Sequence, residues 1–202
     1  MKILQINAVY DIGSTGRIAC EMAKGIESYG HECYIAYSSG KSTEYAKSYK
    51  MGSTLGKKIH AGLSRIFGRQ GFYSSFSTKK LIRYIEKEQF DIIHLGNLHS
   101  NYINIKLLLK YLADNNVPVV LTLHDCWFYT GRCYHYTIEQ CLKWQICCHD
   151  CPRLQKDTPS WFFDFSKNMY EIKKKLFGSI SHLAVVGVSQ WITQEASKSF
   201  LQ

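Results

Sequence analysis

Short apolar runs alternate with stretches of helical periodicity along the whole chain, and this alternation limits the possible folds more than any other feature. Lys2 to Ile6 reads as a buried strand. The turn-rich segment Asp11-Ile12-Gly13-Ser14-Thr15-Gly16 follows, then a helix on which Ile18, Met22, Ala23 and Ile26 recur before Gly30 closes it. Cys33 to Tyr37, Asp91 to Leu95, Pro118 to Leu123 and Leu183 to Val188 read as further buried strands. Their nearly pure apolar character is that of strands covered on both faces. Helices are expected from the Ser77 N-cap to about Glu88, from Ile103 to Asn115, from Lys167 to Phe177 and from Gln190 to Phe200. Lys57 to Phe67 reads as a basic amphipathic helix with Ile59, Leu63, Ile66 and Phe67 on one side. The pattern predicts an α/β fold, a doubly wound parallel sheet, in one domain over residues 1–202. Residues 124–166 lack periodicity and form a cysteine-rich loop insertion. In such sheets ligands bind at the carboxyl ends of the strands. The loops after Asn7, Leu95, Leu123 and Val188 are therefore the ones to inspect.

No apolar run approaches the roughly 18 residues of a membrane span, and the N-terminus lacks the features of a signal peptide. A cytoplasmic protein is expected, with its eight cysteines as thiols or metal ligands. Formal net charge is +9, and residues 41–90 hold eleven Lys/Arg against three Glu. That segment suits an anionic membrane surface, a phosphorylated substrate or nucleic acid; a solvated basic face is the plain alternative.

Four constellations carry chemistry. Gly13, Ser14, Gly16 and Arg17 lie between the first strand and helix, where free N–H groups suit an anion. Neither the dinucleotide fingerprint nor the Walker lysine motif is present, and a tight turn accounts for the glycines equally well. His94, Asn97, His99 and Asn101 crowd the end of a strand, and their paired donors and acceptors suit hydroxyl-rich ligands. Ser100 or Asn101 is also expected to cap the following helix. His124, Asp125 and Trp127 end the purest strand: His124 to hydrogen-bond a sugar hydroxyl, Trp127 to pack on a ring face, and Asp125, less well placed, as a base. Cys133, Cys141, Cys148 and Cys151 could close a tetrahedral structural zinc site, with Cys147 spare and His135 or His149 as substitutes. Buried free thiols, or disulfides formed on oxidation, are the alternatives. Zinc would also explain how so long an irregular loop stays ordered.

These residues resemble the N-terminal domain of family 4 glycosyltransferases of the GT-B fold, whose architecture is Rossmann-like. The likeness rests on Ile3–Gly16, on Asp91-Ile92-Ile93-His94-Leu95 with Asn97 and His99, on Pro118–Gly131 running into the cysteine-rich loop, and on Val186-Gly187-Val188-Ser189-Gln190-Trp191. It is nearest to bacterial enzymes that build capsule, exopolysaccharide or O-antigen. The resemblance implies retaining transfer of a sugar from a nucleotide-sugar donor to a glycan or lipid-linked acceptor, without a catalytic metal. By the same analogy Gly13, Ser14, Gly16 and Arg17 approach the donor, and His124 contacts the transferred sugar. His94, Asn97, His99, Asn101 and Trp127 border the acceptor, and residues 41–90 face an anionic membrane at the inner face. The family's C-terminal donor-binding domain is not represented, so the isolated chain is expected to be inactive.

Two other classes compete. A zinc-stabilised basic nucleic-acid-binding module fits charge and cysteines, but no recognition helix or RNA motif is present and nucleic acid is not the expected partner. A dehydrogenase would need the glycine fingerprint and an acidic residue where Ser38-Ser39 stand.

Overall fold

The computed structural model describes residues 1–41 and 46–202. Part of the basic segment, residues 42–45, lies outside the described residues. Six strands, β1 (Lys2–Tyr10), β2 (Glu32–Gly40), β3 (Lys47–Lys50), β4 (Ile92–Leu95), β5 (Val119–Leu123) and β6 (Leu183–Gly187), form one sheet in the order β3-β2-β1-β4-β5-β6. Every pairing is parallel. The helices are α1 (Gly13–Ser28), α2 (Thr54–Phe67), α3 (Ser75–Glu88), α4 (Ile105–Asp114), α5 (Ser166–Phe177) and α6 (Gln190–Ala196). This is the expected Rossmann-like α/β architecture. The direction of winding reverses between β1 and β4, which opens a crevice at their carboxyl ends.

Strand periodicity explains the continuous apolar runs. β2 sends Tyr34 and Ala36 into one core, with Leu4, Ile6, Leu81 and Leu108. It sends Cys33, Ile35 and Tyr37 into the other, with Ala19, Cys20 and Ala23 of α1. A strand clothed on both faces needs apolar residues at both parities.

Four local readings are corrected. β3 was not foreseen, because Lys-Ser-Tyr-Lys at a sheet edge carries no apolar pattern. β6 is an edge strand with alternating exposure, not a buried one, and leaves Val186 in solvent. α4 is capped by Asn104, whose side chain accepts from the Leu107 N–H at 3.1 Å, and not by Ser100 or Asn101. On α2 the apolar stripe is split: His60 and Ser64 are the buried residues, Ile59 is 55% and Phe67 37% exposed, and Leu63 and Ile66 are half-buried.

Residues 124–165 hold only two short 3-10 turns, Tyr136–Glu139 and Lys143–Gln145. The segment is ordered by its own interior. Trp127, Tyr129 and Trp144 are fully buried, and Trp144 packs 5.1 Å from Tyr129 and 4.9 Å from Tyr136 between ring centroids. Arg153 clamps it from within, at 2.6 Å from Glu139 and 2.7 Å from Asp157. Lys173 of α5 donates to the carbonyls of Trp127 at 2.6 Å and Thr130 at 3.1 Å.

Candidate functional site

Asn7 organises the crevice. It sits buried on β1, beside β4. Its Nδ2 donates to Val9 O at 2.7 Å and to Thr15 O at 3.2 Å, and its Oδ1 accepts the Asn97 N–H at 2.7 Å. One side chain thus ties the β1 tip, the first turn of α1 and the loop after β4. Gly96 is required beside it, since a Cβ there would stand 2.9 Å from Asn7 Oδ1. The sequence reading passed over Asn7. Its signal was a polar residue inside an apolar strand, a costly placement unless every polar atom is used.

The pocket beside Asn7 is lined by Thr15, Ile18 and Met22 of α1, by His94 and Gly96, and by His124. The start of α1 and the two histidines therefore meet at one crevice, the reversal point of the sheet. Ile18 and Met22 point there and not into the core that their spacing suggested; Gly16, Ala19, Cys20 and Ala23 are the buried face. Gly13 opens α1 at φ +63°, and Ile12 before it gives no side-chain cap. Gly13, Ser14 and Arg17 are exposed. The first amides of α1 thus face outward without a capping side chain, the arrangement that accepts an anion. Gly16 is buried, and a Cβ there would press within 3.2 Å of both Asp11 N and Val9 Cγ2.

The two histidines differ. His94 Nε2 lies 2.8 Å from Thr122 Oγ1, while its Nδ1 is buried and unpartnered. Burial, aided by the nearby His124, pushes its pKa down to about 4, so the ring is neutral. His124 is half-buried and makes no hydrogen bond among the described residues. Burial lowers its pKa as well, and His99 adds to this while Asp125 opposes it. A neutral imidazole offers one donor and one acceptor, and His124 has both free.

Asp125 is already engaged. Its Oδ1 accepts the Trp127 N–H at 2.8 Å and its Oδ2 lies 2.6 Å from His99 Nε2. Burial would raise this carboxyl, but the His99 and Trp127 contacts outweigh it and hold the pKa below the usual carboxylate range. His99 in turn lies 4.2 Å from the Tyr134 ring, centroid to centroid. Trp127 corrects the expectation of a sugar platform. It is fully buried, with Lys173 Nζ 3.6 Å from its ring and Gly71 against its edge, so no face is open to a ligand. Tyr134 and Gln70, joined at 2.6 Å, were not foreseen beside it because residues 64 apart in sequence meet there.

Asn97 and Asn101 each keep a buried, unpartnered Oδ1. Asn101 faces a second cavity of ≈ 320 Å³ at the ends of β1 and β2, with Ser38, Ser39, Lys57 and Lys58. Lys57 also borders a third, of ≈ 490 Å³, between α2 and the start of α3. Its walls include Ile59, Leu63 and Phe76 with Lys50 and Lys80. Cys133, Cys141, Cys148 and Cys151 lie away from the crevice and line one small cavity together.

The sequence from residue 15 to 154 matches the family described as Glycosyltransferase Family 4. A protein of Escherichia coli (strain K12), named for colanic acid biosynthesis as the glycosyl transferase WcaC, is 26% identical over 190 residues. That match covers 88% of this chain and 45% of the relative, so the chain spans less than half its length.

Proposed function

The chain belongs to glycosyltransferase family 4, and from that premise we propose that it is the acceptor-side half of a retaining enzyme of polysaccharide biosynthesis. It works with a donor-binding half to move a sugar from a nucleotide-sugar to a glycan or lipid-linked acceptor. One observation carries the reading: Thr15 in the first turn of α1, His94 and His124 line a single crevice where the sheet reverses. The relative named for colanic acid biosynthesis supports the pathway class.

In this reading the bond from the sugar's anomeric carbon to the donor phosphate breaks. The acceptor oxygen bonds to the same face, and its proton passes to the departing phosphate. The first amides of α1, flanked by Gly13, Ser14, Gly16 and Arg17, accept negative charge as the phosphate leaves. His124 hydrogen-bonds the transferred sugar through its free ring nitrogens. His94, held neutral, lines the crevice beside it. Asp125 orients His99 rather than moving a proton, since both its oxygens are occupied. Asn97, His99 and Asn101 border the acceptor.

The acceptor's lipid carrier fits the larger cavity, where apolar walls meet lysines. The exposed apolar residues of α2, flanked by Lys57, Lys58 and Arg65, suit an anionic membrane surface. No helix among the described residues is long and apolar enough to cross a membrane, which fits contact at a surface. The test is to join the chain to a family 4 donor-binding half and assay nucleotide release with lipid-linked acceptor. Release that depends on both the acceptor and the joined half supports the proposal. Equal release without acceptor, or from the 202-residue chain alone, overturns it.

A further inference from the structure

The cysteine cavity does something the crevice does not use. Four thiols from three separated stretches, Cys133, Cys141 and the pair Cys148 and Cys151, line one cavity of ≈ 20 Å³. That is room for about one water-sized guest, enough for an ion and too little for an organic ligand. All eight cysteines are free, so no disulfide accounts for the gathering.

Two of the four sulfurs face backbone N–H groups. The Gly131 N–H donates to Cys148 Sγ at 3.1 Å, and the Arg153 N–H donates to Cys151. Gly131 has to be glycine there, as a Cβ would stand 2.9 Å from Cys148 Cβ and 2.5 Å from Ser166 O. Arg132, Lys143 and Lys173 stand around the cluster, and none forms an ion pair among the described residues. Arg132 donates to the carbonyls of Leu154 and Thr158. Lys143 donates to those of His149 and Asp150. Lys173, buried and within electrostatic reach of Cys148 and Cys133, donates to those of Trp127, Thr130 and Gly131. A divalent metal held by four thiolates carries a net charge of about −2, which suits a surrounding of basic side chains.

We propose that Cys133, Cys141, Cys148 and Cys151 bind one structural zinc ion, which pins the long loop carrying Asp125, Trp127 and Tyr134 beside the crevice. Among the described residues no three Cys, His, Asp or Glu side chains already stand in ligand geometry. Ligation would require the thiols to turn from the cavity wall toward its centre, to sulfur–metal distances of about 2.3 Å. Cys147 is outside the set; its Sγ lies 3.6 Å from Cys148 O.

The experiment is metal analysis of the intact chain, expressed with added zinc and dialysed. About one zinc per chain is expected. Cys147→Ser should keep it, while Cys141→Ser and Cys148→Ser lose most of it. Wild-type chain exchanged into cobalt should show thiolate-to-cobalt charge transfer and tetrahedral ligand-field bands, a readout that does not depend on any variant folding. A strong chelator should lower Tm. Negligible zinc with four cavity thiols freely reactive in the folded chain overturns the proposal. So does iron with acid-labile sulfide in place of zinc, or metal loss in Cys147→Ser equal to that in Cys148→Ser.

Discussion

Asn7→Ala is the sharpest test of how the crevice is built. The substitution removes the contacts to Val9 O, Thr15 O and Asn97 N. Each of the three hydrogen bonds contributes about 1 kcal/mol net. A loss of about 3 kcal/mol follows, or about 6–12 °C in Tm for a chain of this size. Calorimetry measures it directly. A second substitution sharpens the reasoning. Gly96→Ala alone should also destabilise, because its Cβ meets Asn7 Oδ1 at 2.9 Å. In the Asn7→Ala background that oxygen is gone, so the Gly96→Ala penalty should shrink. An Asn7→Ala melting point within about 2 °C of wild type, or strict additivity with Gly96→Ala, would refute the view that this one side chain ties three loops together.

Acid should destabilise the chain through His60 and His94, both pushed down to about 4 by burial. Their folded pKa lies below the unfolded value of about 6.5, so the unfolded chain takes up protons first as pH falls. Their stability is fully present above about pH 6.5 and is lost toward pH 4, at up to about 1.4 kcal/mol per pH unit for each. Tm measured from pH 7 to 4.5 should flatten in His60→Gln/His94→Gln, and an unchanged slope would count against both assignments. Gly71→Ala should cost about 2–3 kcal/mol, since φ is +82° and the new Cβ would stand 2.9 Å from Trp127; an unmoved urea midpoint would mean the indole is not held where we describe it. Leu55→Ser/Ile59→Ser should reduce binding to anionic vesicles at least about tenfold without changing Tm, because both side chains are already in solvent. Equal vesicle binding would remove α2 from the membrane contact.

The sheet was readable because strands covered on both faces need apolar residues at both parities, as Cys33 to Tyr37 of β2 have throughout and β1, β4 and β5 have in most positions. The turn between β1 and α1 was marked by Gly13 and Gly16. What escaped the sequence depends on partners far along the chain. β3 is polar and pairs along one side only. The stripe on α2 has the right period for a buried face, yet periodicity alone cannot say which way a face turns. His99 and Asp125 were each singled out, but their pairing follows from the path of the loop after β5. Trp127 looked like a ligand platform from its position at a strand end, and Lys173 and Gly71, both distant in sequence, close it off. The four cysteines were legible as a group because spacing is local. That Arg132, Lys143 and Lys173 surround them was not.

The account stands on His124 touching the transferred sugar, and turnover by His124→Ala tests this most directly. With the chain joined to a family 4 donor-binding half, wild-type and variant would be compared for kcat at saturating acceptor. We expect kcat to fall at least about 100-fold, with Tm and acceptor KM little changed, as when a donor to the transition state is lost. Undiminished kcat in a folded variant would contradict the role of the crevice.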